Sequence, residues 1–110
     1  MILSFRSKEA EKIWKLVSVR GIPAEVRKIG LRKLVMVNKS IDINDLIIPP
    51  GNRLEKLKGD REGWHSIRIN EQWSVCFVWQ GGNALEVEVV DCLEKELMAI
   101  TKIKNHVLAK

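Results

Sequence analysis

Long apolar runs are missing from this sequence, and with them the roughly 20 consecutive apolar residues that a bilayer-spanning helix requires. Ser4, Arg6 and Lys8 stand where a secretory leader would need its apolar segment, so the chain reads as cytosolic, with no membrane role. Cysteine is scarce. Cys76 and Cys92 are the whole set, too few for a disulfide framework or a zinc site, and reduced thiols are expected. Internal repeats and low-complexity tracts are absent too. Acidic charge is the minority sign, since 14 Asp and Glu face 19 Lys and Arg, giving +5 and a pI near 9.4. That balance tilts the reading toward a polyanionic or acidic partner. What remains, 45% hydrophobic and 30% charged residues in a chain of 110, is the mixture of one folded domain that buries a modest core without metals or cross-links.

Ile2 to Phe5 is a short apolar opening with strand character. Ile13, Leu16 and Val17 then recur at helical intervals, with Trp14 widening the face, and Gly21 is expected to break that first helix. Pro23 suits the first turn of a second helix carrying Val26, Ile29, Leu34 and Val37. Arg27, Lys28, Arg32 and Lys33 make it the most basic helix of the chain. Their ordinary place is a solvated face, with RNA contact as the alternative. Ser40 to Asn52 reads as a connection, capped locally by Asp42 and Asn44 and punctuated by Pro49, Pro50 and Gly51.

Beyond it the period becomes alternating. Leu54 and Leu57 flank Lys56, and Gly59 to Gly63 form a turn. His65, Ile67 and Ile69 alternate with Ser66 and Arg68; Asn70 to Gln72 turns the chain; Trp73, Val75, Phe77 and Trp79 make the clearest strand. Gly81, Gly82 and Asn83 close a hairpin, and Leu85, Val87 and Val89 alternate with Glu86 and Glu88 up to Asp91. The expected class is α+β: two N-terminal helices packed on one face of a small antiparallel sheet, the other face being left for function. Leu93, Leu97, Ile100 and Val107 share a stripe, so an additional C-terminal helix is expected, giving a domain over 1–91 and a helical extension over 92–110.

The run from Pro50 through Arg53-Leu54-Glu55-Lys56-Leu57-Lys58-Gly59-Asp60-Arg61 to Ser66-Ile67-Arg68-Ile69-Asn70 and Gln72-Trp73, closed by Val87-Glu88-Val89-Val90-Asp91, resembles the HigB, or plasmid-maintenance killer, branch of the RelE/ParE toxins. The resemblance covers about Ile2 to Asp91. It implies two helices on an antiparallel sheet and cleavage of mRNA in the ribosomal A site. It also implies a HigA-like helix-turn-helix antitoxin through which alone the protein would meet operator DNA. Neither metal nor cofactor is implied, because the RNA supplies its own nucleophile, the 2′-hydroxyl beside the scissile phosphate. The protein must orient that hydroxyl, accept its proton, stabilise the charge on phosphorus and protonate the leaving 5′-oxygen.

By this resemblance Lys58, Arg61, Arg68 and Asp91 are the catalytic candidates, and Arg53, Lys56 and His65 the RNA-binding ones. Each has a plainer role to set beside it. The Lys-Gly-Asp-Arg segment can be a solvated turn, and strict alternation puts His65 on the face of Ile67 and Ile69 as a half-buried structural residue. Trp64 and Trp79 can stack on bases, although packing is the commoner use of a strand tryptophan. The sequence also departs from the pattern of its relatives. Ser74 stands where they usually carry arginine, Val78 where another basic residue is frequent, and Cys92-Leu93 where Tyr-His follows the aspartate. These departures keep open a toxin homologue that binds its antitoxin and contributes to autoregulation without cutting RNA. A ParE-like inhibitor of DNA gyrase is the third alternative, disfavoured by the 57–70 motif.

Overall fold

The structure, a computed structural model, describes residues 1–57 and 63–91. Ser7 opens α1 (Lys8–Trp14), its hydroxyl accepting the amide of Ala10 at 3.2 Å, with Glu9 and Glu11 in the first turn complementing the helix dipole. The helix is shorter than the spacing predicts. It ends seven residues before Gly21, in a Schellman closure: the Leu16 amide donates to the Ile13 carbonyl and the Val17 amide to the Lys12 carbonyl, at 3.1 and 2.8 Å. The left-handed position of that closure, normally glycine, is held by Leu16 at φ 62. Leu16 and Val17 therefore leave the apolar stripe and are 79% and 50% exposed.

Pro23 precedes α2 (Ala24–Lys39), which buries Val26, Gly30, Leu34 and Val37 along one stripe. A Cβ on Gly30 would stand 3.3 Å from Ile69 Cδ1, so the helix lies close on the sheet there. Two 3-10 turns follow, Ile43–Ile47 and Pro50–Asn52. Asp42 caps the first as expected, accepting the Asn44 amide at 2.8 Å, and its reciprocal partner is Asp45. The Asp45 carboxylate accepts the amides of Ile41 and Asp42 at 3.0 and 3.1 Å, and these bonds hold its pKa below the usual carboxylate range.

Strands β1 (Glu55–Lys56), β2 (Trp64–Arg68), β3 (Trp73–Gln80) and β4 (Asn83–Asp91) form one antiparallel sheet in chain order. Asn70 shapes the β2–β3 turn by accepting the amides of Gln72 and Trp73, both at 2.8 Å. Gly81 and Gly82, at φ 59 and 78, supply the two left-handed positions that a tight β3–β4 hairpin needs. The opening segment pairs parallel to β4 through the Ile2–Ala84 and Phe5–Val87 bridges, covering that edge of the sheet. The helices pack on the face carrying Ile67, Val75, Phe77, Val87 and Val89, around a core in which Phe77 and Leu34 are fully buried.

Two expectations fail for tertiary reasons. Leu85 does not share a face with Val87, because β4 spends one extra residue opposite Phe77: Cys76 pairs with Glu88 and Val78 with Leu85, and Glu86 takes up the bulge at φ 53. Lys33 does not sit on the solvated face of α2. It is 9% exposed and donates to Asn52 Oδ1. Asn52, 0% exposed, also donates to the Leu46 carbonyl at 3.1 Å, so it ties α2 and both 3-10 turns together. The C-terminal helix expected on the Leu93 to Val107 stripe lies outside the described residues.

Candidate functional site

Pleating sends alternate residues of each strand to opposite faces, so the register fixes what the face away from the helices displays. Arg68, Ser74 and Val90 form one row across β2, β3 and β4; Ser66, Cys76 and Glu88 form the next; Trp64, Val78 and Leu85 form a third. The centre of this face is closed rather than open, since Ser74, Cys76 and Glu88 are each less than a tenth exposed. Arg6 reaches over it from the opening segment. Its Nε stands 3.6 Å from Glu88 Oε2, and its guanidinium lies 5.5 Å from the centroid of the Trp64 ring. Neither Arg6 nor Glu88 was singled out from the sequence. An acid in the middle of an alternating strand is one signal for Glu88, whereas nothing local marks Arg6, because its place depends on the parallel pairing of the first residues with β4.

Arg68 occupies the row at the far end of the face, half-buried, with Ser74 directly across from it. Among the described residues it has no ion pair. Lys58 and Arg61 lie outside the described residues, as do Cys92 and Leu93.

Asp91 ends β4 and accepts Gln72 Nε2 at 2.9 Å. It pairs with Trp73, and the pleat sends it to the opposite side from Arg68, one row along and two strands away, about 10 Å across the sheet. The two are thus at the same end of the sheet without being on the same face. Arg53 is exposed, at φ 44, where the second 3-10 turn passes into β1. Lys56 is exposed on β1 directly across from His65.

His65 takes the half-buried place that alternation predicts, its ring stacked on Phe77 with centroids 6.2 Å apart and planes at 20°. Among the described residues its buried Nδ1 has no hydrogen-bond partner. Burial first, and the nearby Lys56 cation second, push its pKa below the usual imidazole value, with a backbone group of Gly63 pulling weakly the other way. The sign follows directly. The folded pKa lies below the unfolded one near 6.5, so this contribution to stability is intact above about pH 6.5 and is lost as the pH falls toward the folded-state value. His65→Phe is expected to raise the melting temperature at pH 5.5 and to flatten the loss between pH 7.5 and 5.5, read by thermal unfolding at both. An unchanged pH dependence would show that other groups control it.

Trp79 packs edge-on against Phe77 on the core side, whereas Trp64 lies on the outward face under Arg6. Among the described residues no group of three His, Cys, Asp or Glu side chains gathers closely enough to hold a metal ion, and no helix is long and apolar enough to cross a membrane.

Comparison with known proteins places this arrangement. A profile of the RelE-like toxin of type II toxin-antitoxin system HigB matches residues 3–92. The chain is 40% identical over 86 residues to Toxin HigB-1 of Vibrio cholerae, covering 77% of this chain and 90% of that one. It is 34% identical over 89 residues to Endoribonuclease HigB of Proteus vulgaris, covering 76% and 90%. Among solved structures, the YoeB–YefM complex of Staphylococcus aureus matches with a TM-score of 0.51 at 17% identity, covering 80% of this chain and 95% of the other. YafQ of E. coli matches with 0.51 at 15%, covering 83% and 93%. These two establish the shared fold alone. With a helix pair on one face of a four-stranded antiparallel sheet and a family match over nearly all of the described residues, the chain belongs to the RelE-like HigB toxins of type II toxin-antitoxin systems.

Proposed function

We propose that this toxin is a metal-independent endoribonuclease that cuts mRNA on the ribosome, with Lys58, Arg61, Arg68 and Asp91 as its catalytic groups and Arg53, Lys56 and His65 as further RNA contacts. The observation that carries the reading is Arg68, a half-buried cation on the outward sheet face with no carboxylate holding it among the described residues. The name of the Proteus vulgaris relative, an endoribonuclease, supports the reaction class.

In the reaction the 2′-oxygen bonds to phosphorus as its proton passes to a base, and the bond from phosphorus to the 5′-oxygen breaks as that oxygen takes up a proton, leaving a 2′,3′-cyclic phosphate. Arg68, with Lys58 and Arg61, serves the charge that grows on the non-bridging oxygens. Asp91, at the same end of the sheet but on its other face, is the proposed acceptor of the 2′-hydroxyl proton, which requires the RNA to pass around the end of the sheet between it and Arg68. The domain over 1–91 acts in the cytoplasm, held inactive by a HigA-like helix-turn-helix antitoxin through which the pair reaches operator DNA. Partnership with an antitoxin follows from the family; the helix-turn-helix class is part of the proposal.

The test is induction of the toxin alone in a bacterial host, with growth and primer extension on reporter messages. Growth arrest with new 5′ ends is expected. Normal growth with intact message from folded protein would leave the second reading, a non-cutting antitoxin partner, which Ser74 favours by standing directly across from Arg68 where the family resemblance implies a second cation.

A further inference from the structure

Arg6 reaches the outward sheet face from the opening segment, and the backbone fixes how it does so. Its amide donates to the Val87 carbonyl at 2.9 Å, and the Val87 amide donates to the Ser4 carbonyl at 3.0 Å. Phe5 packs on the core, so the period of two sends Arg6 to the other side. There its guanidinium lies over the Trp64 ring at 5.5 Å from the centroid, with Nε 3.6 Å from Glu88 Oε2. The Glu88 side chain is 10% exposed and that of Arg6 53%, so the acid is covered while the cation keeps a side open to solvent. An ion pair this open to water adds little to stability, which makes fastening the opening segment a weak reason for the arrangement. Beside the cation, Trp64, Val78 and Leu85 form a partly exposed apolar row across three strands.

We infer that Arg6 binds a phosphate of the message other than the one being cut, with the neighbouring base laid on the row of Trp64, Val78 and Leu85. The inference rests on the reading that RNA is cut at Arg68. Spacing separates the two phosphates. Trp64 and Arg68 share a face of β2 four residues apart, about 13 Å along the strand, which is too far for one phosphate to meet the cations at both ends. Chemistry selects the ligand. A cation beside a flat apolar row suits a nucleotide, whose phosphate meets the charge and whose base lies on the aromatic surface, whereas an acidic peptide would use the charge and leave the row bare. The guanidinium is already held by its backbone pairing, a ring and an acid, so it loses little further freedom on binding. Arg6 is thus a binding residue, acting away from the bonds that form and break.

The test measures binding of the full-length toxin to ribosomes programmed with a message that a 2′-O-methyl group protects from cutting. Each phosphate of the A-site codon and its neighbours is neutralised in turn as a methylphosphonate. Wild type is expected to lose about tenfold in affinity at one phosphate other than the scissile one. Arg6→Gln is expected to bind about tenfold more weakly, to be indifferent to neutralisation at that same phosphate, and to show a salt slope smaller by about 1. With cleavable message its loss should fall on KM, leaving kcat nearly unchanged. If stranding Glu88 lowers the melting temperature of Arg6→Gln, the Arg6→Gln/Glu88→Gln variant removes both charges and should show the same indifference. Wild-type affinity in a destabilised Arg6→Gln overturns the inference in favour of a structural pair. Weaker binding that still responds to every methylphosphonate as wild type does overturns it in favour of the ribosome's own RNA, and a fall in kcat places Arg6 at the reacting phosphate instead. A wild type that shows the expected binding pattern yet leaves cleavable message intact would overturn the cutting reading and leave the Arg6 site standing, whereas one that binds no programmed ribosome overturns both.

Discussion

Arg68→Ala is expected to lower cleavage of ribosome-bound message by about 100-fold while the protein stays folded, because a preorganised cation at the phosphate is commonly worth that factor in the transition state. Arg68 makes no ion pair among the described residues, so its removal strands no partner, and thermal unfolding should change little. Arg68→Lys keeps the charge but loses the planar fork that meets two phosphate oxygens at once, and an intermediate rate is expected. Adding Lys58→Ala should bring the rate to background, with the combined loss smaller than the product of the two if both cations serve the same phosphate. Single-turnover primer extension on programmed ribosomes measures each step. A full rate in Arg68→Ala would remove the outward face from the chemistry and shift attention to the side where Asp91 and the Lys56–His65 pair lie.

The largest loss of stability is expected at Asn52, a residue outside the proposed catalytic set. Asn52→Leu removes the acceptor of the buried Lys33 ammonium and the donor to the Leu46 carbonyl together. Burial, with Arg32 adding like charge, already holds the Lys33 pKa below the ordinary lysine value. Stranding such a cation costs about 3 kcal/mol or more, which lowers the melting temperature of a domain of this size by on the order of 15 °C. Lys33→Met on the same background is expected to recover a large part of that loss, because the stranded charge is then gone. Denaturant unfolding of the two single variants and the double closes the cycle. Purely additive losses would mean that the Lys33–Asn52 bond contributes nothing of its own.

The alternating strands were legible because each has a face packed on helices and a period of two is the direct imprint of such burial. Ile67, Val75 and Phe77 are completely buried, and His65 sits where its parity placed it. The Asn70 and Gly81-Gly82 turns were legible for a similarly local reason, since side-chain capping and left-handed φ are properties of the residues themselves. The Pro50 to Trp73 motif carried the family in the same way.

Where neighbours distant in sequence decide, local pattern misled. Leu16 and Val17 continue the helical spacing of Ile13, yet the chain turns after Trp14. The bulge at Glu86 breaks an alternation that the letters show unbroken, with the Ser4 hydroxyl and carbonyl receiving the amides of Glu86 and Val87 at 2.9 and 3.0 Å. Lys33 looks like a surface cation until Asn52, 19 residues away, comes to meet it. By itself the sequence determined the α+β class, the order of helices and strands and the family, because periodicity, turn chemistry and motif are written in adjacent residues. Tertiary structure alone decided that Arg68 and Asp91 lie on opposite sides of the pleat, that Arg6 crosses to Glu88 and Trp64, and that a cation-edged groove opens where the first helix stops. Each of these depends on register and close approach between segments far apart in the chain, which no local pattern encodes.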